Sequence, residues 1–110
     1  MNPGEVLSAL QGVLEDRKHA QADDSYVASL YRRGEDVILK KVGEEAAETL
    51  IAAKNPDTGL LVHEVADLWF HTLVLLAHKG LRVEQVTDEL ARRFGISGHA
   101  EKAARPQEEV

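Results

Sequence analysis

The sequence predicts an all-α protein, an antiparallel bundle of about five helices. Apolar residues return at helical spacing through most of the chain, as at Val6, Leu7, Leu10, Val13 and Leu14. Turn-forming residues separate the periodic segments, most densely at Asn55-Pro56-Asp57-Thr58-Gly59. The composition, 44% apolar but only 5% aromatic, suits packed helices better than aromatic-rich strands. A length of 110 residues fits one domain, here residues 1–105, with a disordered tail at 106–110 around Pro106.

The first helix is expected over residues 4–19, where charges crowd the end. Ser25 is a good N-cap for a short second helix carrying Tyr26, Val27, Leu30 and Tyr31 and ended by Gly34. A third helix begins near Glu35 or Asp36 and runs to about Lys54. The turn cluster then folds a fourth helix, about 60–79 with Gly80 just past its end, back along the third. Val83, Val86, Leu90 and Phe94 mark a fifth.

Composition also narrows the function. No cysteine is present, which excludes disulfides, thiolate metal sites and a cysteine nucleophile. The net charge of −6 argues against a broad nucleic-acid or anionic-lipid surface, so a phosphate-bearing substrate would need locally recruited cations. No signal peptide is visible and the longest apolar stretch, residues 68–77, is about half a membrane span, so a soluble, cytoplasmic protein is the expectation.

Chemistry concentrates on helices three and four. At 100° per residue, Ile38, Val42, Ala46, Leu50 and Ala53 share one apolar arc of helix three. Lys41, Glu44, Glu45 and Glu48 share a flank, with Glu45 nearest the arc. Like charges at i,i+4 repel, so without a cation this flank weakens its own helix by a few tenths of a kcal/mol per pair. Helix four is apolar around most of its circumference, as a buried helix is. Its polar residues Glu64, Asp67, His71 and His78 lie within about 60° of one another. The two helices thus carry ExxE and ExxD pairs, Glu45/Glu48 and Glu64/Asp67, which a hairpin brings face to face. Buried carboxylates must be paired, protonated or metal-bound. Hard oxygen donors without cysteine suit Mg²⁺, with Mn²⁺ as a substitute. The bland alternative is neutralisation by Lys40, Lys41 or an arginine. His71 reads as a satisfied core histidine, Trp69 as core or dimer interface, and Gly43 either permits a close approach or is a tolerated imperfection; His19, His63, His78 and His99 form no legible spacing.

Three blocks carry a resemblance: Lys40-Lys41-Val42-Gly43-Glu44-Glu45-Ala46-Ala47-Glu48, then Glu64-Val65-Ala66-Asp67-Leu68-Trp69-Phe70-His71, then Ser97-Gly98-His99-Ala100-Glu101-Lys102-Ala103-Ala104-Arg105. Together they resemble the phosphoribosyl-ATP pyrophosphohydrolase family of histidine biosynthesis, within the MazG-like all-α nucleotide pyrophosphohydrolase superfamily. The paired acidic motifs mark the superfamily; the first block with the C-terminal segment selects this member. The resemblance implies a stand-alone hydrolase that assembles as a homodimer, with sites near the subunit interface.

The expected reaction is hydrolysis of the α,β-phosphoanhydride of phosphoribosyl-ATP to phosphoribosyl-AMP and pyrophosphate. Glu45, Glu48, Glu64 and Asp67 are expected to hold one or two Mg²⁺ ions, with Glu44 or a non-ligating carboxylate taking the proton of the attacking water. Lys40, Lys41, Lys102 and Arg105 are the candidate phosphate contacts, arginine being suited to bidentate binding. A house-cleaning hydrolase of non-standard nucleoside triphosphates would share this site and differ in substrate. A non-catalytic helical scaffold would leave the acidic stripe of helix four unexplained. A ferritin-like di-iron bundle needs ExxH pairs that are absent at the matching places.

Overall fold

A computed structural model describes residues 1–94 of the 110. The tail at 106–110, and with it the C-terminal block, lies outside the described residues. Helix α1 is Pro3–Asp16, α2 Tyr26–Arg33, α3 Glu35–Ala53, α4 Thr58–His78 and α5 Val83–Arg92, and no strand occurs among the described residues. The all-helical expectation holds, and α3 and α4 form the expected hairpin, the most extensive pairing of elements. The first helix is shorter than expected. Its α-helical hydrogen bonding stops at Asp16, and Arg17–His19 tighten into a 3₁₀ turn before a second such turn at Ala22–Asp24.

Three helix starts, those of α1, α2 and α4, are set by side chains that satisfy orphan amides of the first turn. Asn2 Oδ1 accepts from the Glu5 amide at 2.9 Å, with Pro3 in the first turn. Ser25 Oγ accepts from Ala28 at 3.2 Å, and Asp57 Oδ1 from Gly59 at 2.9 Å. Gly34 serves two helices at once. Its amide donates to Leu30 and its carbonyl accepts from Ile38, which requires φ 99° and ψ 178°, a region essentially closed to residues with a Cβ. Gly80, at φ 73°, closes α4: its amide donates to Ala77 and that of Leu81 to Leu76, the paired bonds of a Schellman motif.

The core collects Leu14 of α1, Val27 and Leu30 of α2, Ile38 of α3, Leu73, Val74 and Ala77 of α4, and Val83 of α5. It therefore sits at the C-terminal end of α4, where every helix converges. Gln11 is buried there with its amide fully used: Nε2 donates to Leu81 O and Glu15, and Oε1 accepts from the Val83 amide. Tyr31 ties α2 to α1 by donating to Leu14 O at 2.8 Å.

Two expectations about burial need correction. Along α3 the buried line is Ile38, Glu45 and Ala52, rotated by roughly a quarter-turn from the predicted apolar arc. Leu50 on that arc is 72% exposed. Nor is α4 buried all round: Val62 is 70% and Trp69 56% exposed, so Trp69 is not core in this chain. The reason is the same in both cases. The outer half of the hairpin has only its own partner helix to pack against, and that contact is made by the faces carrying the acids. By length and composition alone α4 would suffice to cross a membrane, yet the face it turns to α3 holds Glu64 and Asp67.

These backbone details separate two glycines. At Gly34 a Cβ meets nothing within 4 Å but the backbone angle is unfavourable, so Gly34→Ala is expected to cost about 1–3 kcal/mol. At Gly43, inside α3, a Cβ also meets nothing within 4 Å, so no close helix contact among the described residues needs the glycine. Gly43→Ala is expected to stabilise by up to about 1 kcal/mol. Chemical denaturation of both variants checks the opposite signs.

Candidate active site

The hairpin brings four of the predicted carboxylates together. Glu45 and Glu48 lie one turn apart on α3, and α4 sets Glu64 and Asp67 across from them. Glu45, Glu48 and Glu64 each offer an oxygen such that the three lie within 4.8 Å of one another, and His63, Glu64 and Asp67 form a second such group. The two groups share Glu64 and so make one continuous cluster.

Among the described residues, lysines do not form ion pairs at the centre of that cluster. Lys40 and Lys41 approach Glu44 instead, at 3.8 and 3.6 Å, which sets Glu44 beside the cluster rather than in it. Among the described residues, no lysine or arginine pairs with Glu45, Glu48, Glu64 or Asp67; the ion-pair partner of Asp67 is His63, at 3.3 Å. Glu45 is buried, and Glu45 Oε2 and Glu64 Oε2 are buried oxygens without a hydrogen-bond partner. Burial, then the adjacent Glu48 carboxylate, and then Asp67 and Glu64, push the Glu45 carboxyl up to about 7. Burial also raises Glu64, reinforced by its contact with Glu48 and opposed by His63.

Orphaned buried acceptors and mutually raised carboxyls are what a cation site looks like without its charge. The donors are oxygens with one imidazole at the edge, a set that suits a hard divalent ion and leaves room for phosphate oxygens. The bland alternative, ion pairing by Lys40 or Lys41, does not occur at the ExxE and ExxD pairs, since both lysines pair with Glu44. Lys102 and Arg105 lie outside the described residues.

Two contacts near the cluster escaped the sequence reading. His63 joins Asp67 through ordinary i,i+4 helical spacing, a signal that was present but read as patternless. Tyr26, from the start of α2, hydrogen-bonds His71 Nε2 at 2.8 Å, a contact 45 residues apart that no local spacing reveals. His71 is buried and satisfied as expected, its Nδ1 bonding the backbone carbonyl of Asp67 at 2.8 Å.

Fold and cluster together define a class: an all-helical protein whose central hairpin presents a group of hard-oxygen carboxylates of the kind suited to divalent-cation and phosphate chemistry. Comparison with known proteins makes this particular. The family described as Phosphoribosyl-ATP pyrophosphohydrolase matches residues 7–94. Proteins named phosphoribosyl-ATP pyrophosphatase are similar over nearly their whole length. One from Neisseria meningitidis is 59% identical over 102 residues, covering 93% of this chain and 95% of its own. One from Vesicomyosocius okutanii is 56% identical over 101 residues, covering 92% and 96%, and one from Ruthia magnifica is 55% identical with the same coverage. The chain belongs to the phosphoribosyl-ATP pyrophosphohydrolase family.

The raised Glu45 carboxyl has a consequence for the metal-free protein. Its folded-state value of about 7 lies above the ordinary 4.5, so the stabilising excess proton is fully held below pH 4.5 and lost as pH rises through 7. Chelator-treated protein is expected to melt at progressively lower temperature across that window. Glu45→Gln should flatten the dependence and melt higher than the parent at about pH 8. Calorimetric melts on both proteins decide it, and parallel curves would refute the assignment.

Proposed function

We propose that the chain hydrolyses phosphoribosyl-ATP between the α- and β-phosphates, releasing phosphoribosyl-AMP and pyrophosphate in histidine biosynthesis, with Mg²⁺ as cofactor. The observation that carries this reading is the uncompensated carboxylate cluster in a chain so similar, over almost its full length, to proteins named for that activity. A cytoplasmic location accords with a pathway of small-molecule biosynthesis.

Glu45, Glu48, Glu64 and Asp67 would hold the metal. When bound, it supplies charge neutralisation for the phosphate oxygens and a more acidic water. The protein's part is positional. Carboxylates from two rigid helices hold their spacing across the hairpin, and His63 steadies Asp67 from the same helix. Lys41, half-covered and at the edge of the cluster, presents an ammonium to a phosphate oxygen, with Lys40 more exposed one residue away. Lys102 and Arg105 are proposed as further phosphate contacts on the strength of the C-terminal block. Glu44, lying beside the cluster, is proposed to take the proton of the attacking water.

We also propose a homodimer. Val62, Ala66 and Trp69 form an exposed stripe on α4, roughly opposite Glu64. Leu50 and Ile51 stand exposed on the outer half of α3. A second copy covering these surfaces would bury apolar area that the small core of one chain leaves in water.

Purified protein is expected to release pyrophosphate from phosphoribosyl-ATP with Mg²⁺ and not with chelator; preference for a free nucleoside triphosphate would reassign it to the house-cleaning branch. Glu48→Gln and Asp67→Asn should each lower kcat by about a hundredfold or more at unchanged helicity. Full Mg²⁺-dependent turnover in both would remove the proposed site. Trp69→Glu is expected to shift the protein toward monomer in sedimentation, and an unaltered mass would place the interface elsewhere.

A further inference from the structure

The donors of the acid cluster differ from one end to the other. At one end they are carboxylate oxygens alone, from Glu45, Glu48 and Glu64. At the other a nitrogen joins them: His63, Glu64 and Asp67 each offer one ligand atom, all within 4.8 Å of one another. His63 Nε2 stands 3.3 Å from Asp67 Oδ2. Neighbouring ligands around a divalent ion with bonds of about 2.1 Å lie about 3 Å apart, so this pair already has the spacing of two donors on one metal. The i,i+4 step that joins them is the one that sets two ligands on one face of a metal-binding helix.

Two further observations point to a cation rather than to a solvated acidic face. Glu45 is only 7% exposed, and its Oε2, buried without a hydrogen-bond partner, belongs to the same cluster. Glu64, shared by both ends, has a buried Oε2 in the same condition. A carboxylate has two oxygens and can serve both ends at once, as bridging groups do between paired metals. His63 is different in kind. Its side chain is 68% exposed, so the core does not need it and an incoming ion reaches it freely. The lysines nearest the cluster leave this end alone, because Lys40 and Lys41 both pair with Glu44. Neutral imidazole suits first-row transition ions better than Mg²⁺, which takes oxygen.

We propose that His63, Glu64 and Asp67 form a nitrogen-containing cation subsite that takes a first-row transition ion such as Mn²⁺ in preference to Mg²⁺, with His63 Nε2 as the ligand that sets the preference. The all-oxygen end at Glu45, Glu48 and Glu64 makes no such distinction through an imidazole. The proposal rests on the preceding reading of the carboxylates as a cation site, and on no particular nucleotide. In the free chain the ring lies against Asp67. With an ion present, the same nitrogen gives its lone pair to the metal while its partner carboxylate fills the neighbouring position.

The test titrates the full chain with Mn²⁺ and with Mg²⁺, without nucleotide, by calorimetry in the parent and in His63→Gln. Glutamine keeps an amide that can bond Asp67 but removes the imidazole donor. His63→Gln is expected to weaken Mn²⁺ binding about tenfold or more, at least the scale of losing a residue that orients a metal ligand. Mg²⁺ binding should change less than about twofold, because that ion takes oxygen donors. Electron spin echo spectra of the Mn²⁺-loaded parent are expected to show coupling to an imidazole nitrogen, which His63→Gln abolishes. A ring that only steadies Asp67 would change both ions alike and give no nitrogen coupling, and either result overturns the proposal. So does coupling that persists in the variant, since another histidine would then supply it. If both ions bind and His63→Gln alters neither, the subsite falls while the carboxylate cation site stands. If the parent binds neither ion, both readings fall together.

Discussion

Repulsion among carboxylates across the α3–α4 hairpin is the constraint on which the rest of this structure depends. Glu45, Glu48, Glu64 and Asp67 face one another, and Glu45 occupies a place on α3 that a hydrophobic residue would fill in an ordinary bundle. The hairpin is held by what lies beyond the acids: Ile38, Leu73, Val74 and Ala77, which join residues of α1, α2 and α5 in a core at one end of α4. One end of the hairpin supplies cohesion and the other is free to carry charge.

That division explains the burial pattern. Buried residues of α4 lie in its C-terminal half, at His71, Leu73, Val74 and Ala77, while Val62 and Trp69 stand exposed farther along. The shift of Glu45 to about 7 states the same fact in terms of protons. Bringing the acids together costs free energy, and under the proposed function binding of a cation would recover it. Sites of function commonly break the rules of stable packing in this way, with rigid neighbours holding the strain.

Similar logic applies where α2 enters. Ser25 caps that helix and Gly34 ends it, a span of eight helical residues that delivers Tyr26 to His71. Gly34 then starts α3 with no intervening loop, so the direction of α2 relative to the acidic helix is set by one backbone conformation.

The residue pattern by itself determined a good deal: the five helices, the hairpin turn, both punctuating glycines and the two acidic pairs. Each is a local or short-period property, governed by capping, φ limits and the 3.6-residue turn. The pattern misjudged which side of α3 faces inward, because Leu50 and Glu45 compete on hydrophobicity, where leucine wins, whereas the hairpin crossing is set by the core at Ile38 and Val74. It also passed over His63, whose spacing from Asp67 was visible but acquired meaning only beside Glu64. Tyr26 and His71 were beyond its reach altogether. Which side chains meet across 45 residues depends on the angle at which whole helices pack, and that angle is decided only when every helix closes on the same core.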